Sequence, residues 1–323
     1  MIRASVLGSG SWGTALSLHI ARNGVHVSLW GRDPSEIESL RAHRENRHYL
    51  PGFQLPPEIV PVTAAPNEAD FWVLAIPSEG AREGCALLPE DPLVVIAAKG
   101  LEPNTSKRMS EVVLEERPRA RVCVLSGPNL AVELAQGIPT ATVIASRDQD
   151  CVEWVRERFA SRNLRVYTSK DLVGVELGGA LKNVMAICAG MSDGLGFGDN
   201  TKGAVIARGL HEMASLGVAL GAKVETFMGL SGVGDLFATA ASVLSRNYRV
   251  GRALGEGKGL DQTLEEIGQV AEGVPTAHAA VELAHRSEVE VPLMEAIARV
   301  LDGKTRPLDA VAELMERTPR SEV

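Results

Sequence analysis

The chain of 323 residues is poor in aromatic side chains, which make up 4% of it as six Phe, three Tyr and four Trp. This scarcity argues against a stacking surface for nucleic-acid bases and favours a core of Ala, Val and Leu. Positive charge is also scarce, because 33 Lys and Arg stand against 41 Asp and Glu and the net charge is −8. The basic residues are scattered, so we expect no nucleic-acid partner.

The chain also lacks paired cysteines and long apolar runs. Its four cysteines show no C-x-x-C pair and no Cys/His cluster, which predicts small buried side chains, a reducing compartment and no metal site: they are Cys85, Cys123, Cys151 and Cys188. No unbroken apolar run has the roughly 20 residues that span a bilayer. A glycine-rich loop begins at residue 8, where a signal peptide would continue. We therefore expect a cytoplasmic protein without a membrane span.

What the chain does have is a glycine pattern at its start. Gly8, Gly10 and Gly13 form G-x-G-x-x-G between a predicted strand at 4–7 and a helix in which apolar residues recur every four positions. A β-branched run at 25–30 completes a β-α-β unit, the context in which these glycines bind the pyrophosphate of a dinucleotide. The alternative is an ordinary tight turn of an α/β sheet.

The end of the second predicted strand bears on the choice of cofactor. A carboxylate at this position bonds the ribose hydroxyls of NADH, whereas an arginine accommodates the 2′-phosphate of NADPH. The chain has Arg32 followed by Asp33. Arg32 favours NADPH, and Asp33 leaves NADH open.

Further buried strands alternate with polar, helix-prone segments, which is the pattern of a doubly wound sheet. These strands are predicted at 71–76, 92–97, 122–125, 140–144 and 164–168. A Pro-rich segment at 50–61 is predicted to be a long loop. The first half is therefore expected to be a Rossmann-type α/β domain.

After residue 171 the strand signals stop and helical periodicity takes over. Helices are predicted at 172–191, 204–220, 263–270, 277–285 and 292–300. We therefore expect a dinucleotide-binding domain at 1–169 and an all-α substrate and dimerisation domain at 170–323, packed closely because no flexible linker separates them.

One cation in the first helical stretch is unusual. Lys182 lies among small and apolar residues shortly after Gly178 and Gly179, and paired glycines destabilise a helix unless something approaches its backbone. Lys99 follows a predicted strand, where the binding crevice of such sheets lies. By itself Lys182 could be a surface lysine that reaches water.

At this point the chain resembles the bacterial-type NAD(P)-dependent glycerol-3-phosphate dehydrogenases over nearly its full length. The motifs that carry the resemblance are residues 8–15, 98–101, 126–128, 178–184, 190–194, 232–236 and 245–247. The resemblance implies reversible reduction of dihydroxyacetone phosphate to sn-glycerol 3-phosphate with NADPH or NADH, as the entry to glycerophospholipid synthesis. It also implies a Rossmann domain followed by a helical substrate domain.

The resemblance implies roles for individual residues. Lys182 matches the proton-transfer lysine. Substrate contacts are implied for Lys99, Gly127, Asn129, Lys182, Asp235, Ser245, Arg246 and Asn247. Cofactor contacts are implied for Ser11, Trp12, Arg32, Lys99, Ala131, Arg246, Val270 and Glu272, in addition to the three glycines of the loop. Asn129 departs from the family, which has a small hydroxyl residue there, and its longer amide could shift the ligand.

These roles agree with the chemistry of ketone reduction. An ammonium at Lys182 stabilises the charge that develops on the carbonyl oxygen and donates the proton. Oxidation requires the neutral amine, so it should prefer alkaline pH; Lys99 would lower the pKa of Lys182 and Asp235 would raise it. Arg246 offers planar donors to a phosphate, and Thr239 lies one helical turn after Asp235.

Two other interpretations stay open from the sequence. The chain could reduce another small phosphorylated or hydroxy-acid substrate. It could also be a non-catalytic dinucleotide-binding redox sensor, although a sensor would have no use for Lys99, Lys182 and Asp235 together. A homodimer formed through the helical domain is expected in either enzyme interpretation.

Overall fold

The computed structural model describes residues 1–66 and 68–318. Its first half is built on one eight-stranded sheet flanked by helices, as the alternating pattern predicted. The strands are β1 Arg3–Leu7, β2 His26–Trp30, β3 Glu45–Asn46, β4 Leu50–Gln54, β5 Ile59–Val62, β6 Phe71–Leu74, β7 Leu93–Ile96, β8 Arg121–Ser126, β9 Thr140–Ala145 and β10 Leu164–Ser169.

The order of strands across the sheet is β10-β9-β8-β7-β6-β1-β2-β5, and β3 pairs separately with β4. Strands β1, β2, β5, β6, β7 and β8 are parallel to one another. β9 is antiparallel to β8, and β10 is parallel to β9. The carboxyl ends of the six parallel strands therefore share one edge, which is where sheets of this type bind ligands.

The prediction of a long loop at 50–61 was wrong. Residues 50–54 form β4, and Ile59–Val62 forms the edge strand β5 beside β2. Ile59 and Pro61 face inward while Val60 is half exposed, a period of two that the prolines obscured. Proline is tolerated at Pro61 because an edge strand need not donate every backbone hydrogen bond.

Six helices connect the strands and cover the sheet: α1 Ser11–Arg22, α2 Pro34–His43, α3 Ala81–Cys85, α4 Met109–Glu116, α5 Ala131–Gln136 and α6 Gln149–Phe159. From residue 172 onward the described chain is helical: α7 Leu172–Gly194, α8 Asp199–Ala219, α9 Val224–Phe227, α10 Asp235–Ala240, α11 Arg246–Gly255, α12 Leu260–Ile267, α13 Gly273–Arg286, α14 Pro292–Leu301 and α15 Pro307–Glu316. All five predicted helices are present, with shifted ends, and 268–270 lies outside α12.

Helix α7 is the central element of the helical domain, and it packs against α8, α10, α11 and α13. It meets α11 backbone to backbone. A Cβ on Gly190 would lie 2.1 Å from the carbonyl oxygen of Tyr248, and one on Gly251 would lie 1.9 Å from that of Ile187. By length and composition α7 could cross a membrane, but 89% of its most apolar window is buried inside the protein. It is therefore a core helix here.

Three serines of the first domain bond glutamates of the second. Ser78, Ser106 and Ser110 donate their hydroxyls to Glu272, Glu282 and Glu176, respectively. Glu176 on α7 also accepts the backbone N–H of Ser110 at 2.7 Å and one guanidinium nitrogen of Arg108 at 2.9 Å. These contacts hold the amino end of α4 against α7.

Two cysteines that are far apart in the sequence meet in the fold. Cys123 on β8 and Cys151 on α6 are 28 residues apart in sequence, and their Sγ atoms lie 2.9 Å apart. Both side chains are buried, as is Cys85, whereas Cys188 is half buried. None of the four forms a disulfide.

Candidate active site

The glycine-rich turn joins β1 to α1 and leaves room at one position only. Gly8 has φ +118°, and a Cβ there would lie 2.6 Å from the carbonyl oxygen of Ala75; on Gly13 it would lie 1.8 Å from the carbonyl oxygen of Gly8. At Gly10 a Cβ would meet nothing within 4 Å. Gly10 precedes α1, whose amino end no side chain caps. The turn is thus tightly packed at Gly8 and Gly13 and open at Gly10, which fits the close approach of a pyrophosphate.

Trp12 connects the first turn of α1 with the end of β7. Its indole Nε1 donates to the carbonyl oxygen of Ala97 at 3.0 Å. The Nζ of Lys99 lies 5.9 Å from the centre of the indole ring. The structure therefore brings the predicted cofactor residue Trp12 beside the predicted substrate residue Lys99.

The two site lysines converge on one carboxylate. Lys99 Nζ lies 2.7 Å from Asp235 Oδ2, and Lys182 Nζ lies 2.9 Å from Asp235 Oδ1. Lys182 comes from the middle of α7, and Asp235 opens α10 after a single π turn at Leu230–Gly234. Lys182 also donates to Thr239 Oγ1 at 2.6 Å, and that hydroxyl donates to the backbone carbonyl of Asp235. Two ammoniums facing one carboxylate leave the cluster with an excess positive charge.

Burial governs the protonation of this cluster. Lys182 is only 6% exposed, and desolvation lowers its pKa to about 8; Asp235 opposes the shift, while Lys99 adds to it. Burial would raise the pKa of Asp235, but the two ammoniums outweigh it and the pKa is lowered. The effects of Asp235 and Lys99 on the pKa of Lys182 were expected from the sequence, but the larger effect of burial was not. Lys182 is not a surface lysine.

Arg246, the first residue of α11, is a half-buried cation with no hydrogen bond or ion pair among the described residues. Burial lowers the pKa of Arg246, and Glu272 opposes that shift. Glu272 is itself held by Ser78, whose backbone N–H and hydroxyl donate to its two carboxylate oxygens at 2.9 and 2.5 Å. Its pKa is raised, mainly by burial. An unpaired guanidinium at a helix start is available to an anion.

Ser245 and Asn247 flank Arg246 and are partly engaged within the protein. The Ser245 hydroxyl accepts the backbone N–H of Tyr248 and so caps α11. The Asn247 amide donates to Asn183 Oδ1 at 2.8 Å and accepts the backbone N–H of Gly273. Each still has one hydrogen to donate to a ligand.

The two residues beside the reversed strand β9 differ in their surroundings. Gly127 has φ +148°, and its carbonyl oxygen accepts from Lys99 Nζ at 2.9 Å. Asn129 donates its amide to the carbonyl oxygen of Ala141, while its buried Oδ1 has no hydrogen-bond partner in the part of the chain that the structure describes. Gly127 therefore contacts the cluster directly, and Asn129 has an unused acceptor.

Three further predicted cofactor residues, Arg32, Ala131 and Val270, come from separate parts of the chain and differ in exposure. Arg32 is exposed and makes no hydrogen bond or ion pair among the described residues. One carboxylate oxygen of Asp33, Oδ1, caps α2 by accepting from Ser35 N and Oγ, both at 2.8 Å. Val270 is 45% exposed, and Ala131 begins α5.

Sequence reasoning missed two residues that organise the site. Asn183 donates to the backbone carbonyl of Lys99 and accepts from Asn247, so it links the lysine segment with the arginine segment. Ser78 holds Glu272. Ser78 lies just beyond β6, so, like Lys99, it follows a strand end at the edge where such sheets bind ligands. Within the described ranges, no group of three His, Cys, Asp or Glu could hold a metal ion.

The chain is similar to glycerol-3-phosphate dehydrogenases in both of its halves. The profile for the amino-terminal part of NAD-dependent glycerol-3-phosphate dehydrogenase matches residues 3–152, and that for its carboxy-terminal part matches 171–312. Glycerol-3-phosphate dehydrogenase [NAD(P)+] of Moorella thermoacetica is 48% identical over 99% of this chain and 97% of the relative.

A crystal structure of glycerol-3-phosphate dehydrogenase from Coxiella burnetii is also similar. It superposes with a TM-score of 0.94 at 36% identity, covering 98% of this chain and 99% of that one. A second relative, from Desulfitobacterium hafniense, is 46% identical over the whole chain and 94% of its own length. On these matches, the chain belongs to the NAD-dependent glycerol-3-phosphate dehydrogenase family.

Proposed function

We propose that the protein reversibly reduces dihydroxyacetone phosphate to sn-glycerol 3-phosphate, with Lys182 as the proton donor. The observation that carries this proposal is the buried cluster in which Lys182 and Lys99 share Asp235. Such a cluster has positive charge to spare where a ketone oxygen becomes negative. A bound NAD(P)H supplies the hydride.

Lys182 performs the proton transfer. Its ammonium is held by Asp235 and Thr239, so its position is fixed before the substrate arrives. In reduction it gives one proton to the oxygen of the substrate, and in oxidation the neutral amine takes that proton back. Lys99 is tied to Asp235 and Gly127, and it adds a second positive charge that stabilises the developing alkoxide.

Arg246 binds the phosphate of the substrate. Among residues 1–66 and 68–318 the guanidinium has no hydrogen-bond or ion-pair partner, and its planar donors match phosphate oxygens. Ser245 and Asn247 each add one donor, and the backbone at the start of α11 favours an anion. This assignment distinguishes a phosphorylated ketone from a hydroxy acid without phosphate.

The cofactor is held at the glycine turn. Gly8, Gly10 and Gly13 admit the pyrophosphate, with Ser11 and Trp12 following in α1. Ala131, Val270 and Glu272, together with Lys99 and Arg246, are assigned to the cofactor by family resemblance. We assign the 2′-phosphate of NADPH to Arg32, because its exposed guanidinium has no partner among the described residues, whereas one carboxylate oxygen of Asp33 is engaged in capping α2.

The decisive assay follows NADPH absorbance after addition of dihydroxyacetone phosphate to the purified protein. We expect turnover with this substrate and none with dihydroxyacetone or pyruvate at equal concentration. Turnover without a phosphate requirement would favour a different dehydrogenase. Binding of NADPH with no turnover of any of the three would favour the sensor.

Lys182→Met is the matched variant, since it keeps the length of the side chain and removes the proton. We expect kcat to fall about 10³-fold or more while the Kd for NADPH stays within about twofold, because the interaction forms chiefly in the transition state. Fluorescence titration measures the Kd. A fall of less than tenfold in kcat would remove Lys182 from this role.

Arg32→Ala tests the choice of cofactor. We expect kcat/KM for NADPH to fall at least about tenfold and that for NADH to change little, because only NADPH carries the 2′-phosphate. Steady-state kinetics with both cofactors measures the two values. Equal losses would mean that Arg32 does not read the phosphate.

Assembly, location and pathway rest on resemblance. We propose a homodimer formed through the helical domain, located in the cytoplasm and supplying glycerophospholipid synthesis. Sedimentation velocity at micromolar concentration would give the mass of a dimer, and the mass of a monomer would contradict it.

A further inference from the structure

A second chemically distinctive place lies in the Rossmann domain, away from the lysine cluster. Cys123 points from β8 toward Cys151 in the first turn of α6, with the two Sγ atoms 2.9 Å apart. Both side chains are 0% exposed. A disulfide bond is about 2.05 Å long, so roughly 0.9 Å of approach separates the two thiols from a covalent link.

The surroundings make the two thiols unequal. Cys151 lies at the amino end of α6, where the helix dipole favours a thiolate. Its backbone N–H donates to Asp148 Oδ1, and Arg121 lies on the other carboxylate oxygen at 2.8 Å. The hydrogen bond from Cys123 lowers the pKa of Cys151 against the effect of burial, and Arg121 lowers it further. The same bond, with burial, raises the pKa of Cys123.

We propose that Cys123 and Cys151 are a dithiol that hydrogen peroxide oxidises to an intramolecular disulfide joining β8 to α6. The Cys151 thiolate attacks one oxygen of the peroxide, the O–O bond breaks, and hydroxide leaves and takes up a proton to form water. Cys123 then attacks the sulfur of the resulting sulfenic acid. The S–S bond forms, the S–O bond breaks, and a second water leaves with the proton of Cys123.

Because both thiols are buried, oxidation requires local opening of α6, whose outer face is exposed at Gln149, Asp150 and Glu157. The disulfide ties β8 three residues before Ser126, which precedes the Gly127 carbonyl that receives Lys99. Because the sulfurs need to approach by less than 1 Å, we expect kcat to stay within about twofold after oxidation.

The experiment treats reduced, desalted protein with hydrogen peroxide and maps its peptides by mass spectrometry. We expect accessible thiols in the denatured protein to fall from four to two, with one linked peptide pair containing residues 123 and 151 and a mass loss of about two hydrogens. Dithiothreitol should restore all four thiols. The Tm of the oxidised protein should rise by several degrees, because the cross-link lowers the conformational entropy of the unfolded chain.

Cys85→Ser is the matched control, since Cys85 is equally buried but has no sulfur neighbour among the described residues. It should form the link as the wild type does, whereas Cys123→Ser and Cys151→Ser should not. Mapping of the wild-type protein decides the question even if a serine variant folds poorly. Four remaining thiols, sulfinic acid without a link, or a link between two molecules would each overturn the proposal.

Discussion

Lys182 shows how depth in the protein tunes a single side chain. Its pKa is lowered to about 8 chiefly by desolvation, and Asp235 prevents a further fall. An amine with this pKa is well matched to both directions of a proton transfer near neutral pH. Residues 172–191 are apolar on all sides, which is typical of a buried helix. That pattern could have predicted the burial of Lys182, although the spacing of charges in the sequence could not.

The pH dependence of the two directions follows from this value. Above pH 8 Lys182 loses its proton in the folded enzyme, so the rate of reduction should fall and the rate of oxidation should rise. Measurement of kcat/KM for each direction between about pH 6 and pH 10, a range that brackets this pKa, would show both changes. Two profiles that turn near pH 10.4, the ordinary lysine value, would contradict it.

Asp235→Asn should move the same profile toward acid. Asp235 raises the pKa of Lys182, so its removal lowers that pKa and reduction should be lost at a lower pH. The variant also leaves buried Lys182 and half-buried Lys99 without their counter-charge, which should cost about 3–5 kcal/mol of the free energy of unfolding. The pH profile and urea denaturation measure the two effects. An alkaline shift would be inconsistent with the pairing.

The strands, helices and turns that have a distinctive local sequence pattern could be predicted from the sequence. Buried strands such as β6 and β7 are continuous apolar runs, and the spacing of the glycines in the turn predicts a dinucleotide-binding site. Strand β5 was not predicted because it is short, contains Pro61 and alternates buried with exposed residues over only four positions. The reversed direction of β9 depends on its pairing with β8, which no local pattern encodes. The division at residue 169 stays a prediction, supported by the end of β10 at Ser169 and the start of α7 at Leu172.

The glycine turn allows two functions to be separated by a matched pair of substitutions. Gly8→Ala should lower the free energy of unfolding by more than about 2 kcal/mol, because φ is +118° and the new Cβ would meet Ala75. Gly10→Ala should change stability by less than about 0.5 kcal/mol, since its backbone is extended and the space is open.

Cofactor affinity should respond in the opposite order. Gly10→Ala places a methyl group where the pyrophosphate passes, so the Kd for NADPH should rise at least about tenfold in a folded protein. Fluorescence titration measures this Kd, and urea denaturation measures the stability of both variants. Unchanged affinity in Gly10→Ala would show that the cofactor does not cross the turn at Gly10.

For the molecule as a whole, the lysine cluster depends on the two domains staying in register, since Lys99 comes from one and Lys182 from the other. The serine–glutamate contacts described above maintain that register. The change of periodicity and the lack of a linker predict two closely packed domains. Sequence alone could not predict these contacts, since the partners are 66 to 194 residues apart.

Glu176→Ala and Glu282→Ala form a matched test of the interface. Glu176 is 5% exposed and holds both Ser110 and Arg108, so its loss should cost about 3–5 kcal/mol of the free energy of unfolding. Glu282 is 47% exposed, and its loss should cost no more than about 1 kcal/mol. Urea denaturation compares the two variants. Equal costs would mean that burial does not set the strength of these contacts.

The buried position of α7 has a consequence for synthesis on the ribosome. The helices that cover it, α8, α10, α11 and α13, all follow it in the chain, so they do not exist when α7 is translated. Until Arg286 has left the exit tunnel, a segment apolar enough to enter a lipid bilayer lacks part of its cover. During that interval the uncovered apolar segment is the part of the nascent chain most open to aggregation, and the later helices remove this exposure only when they pack on it.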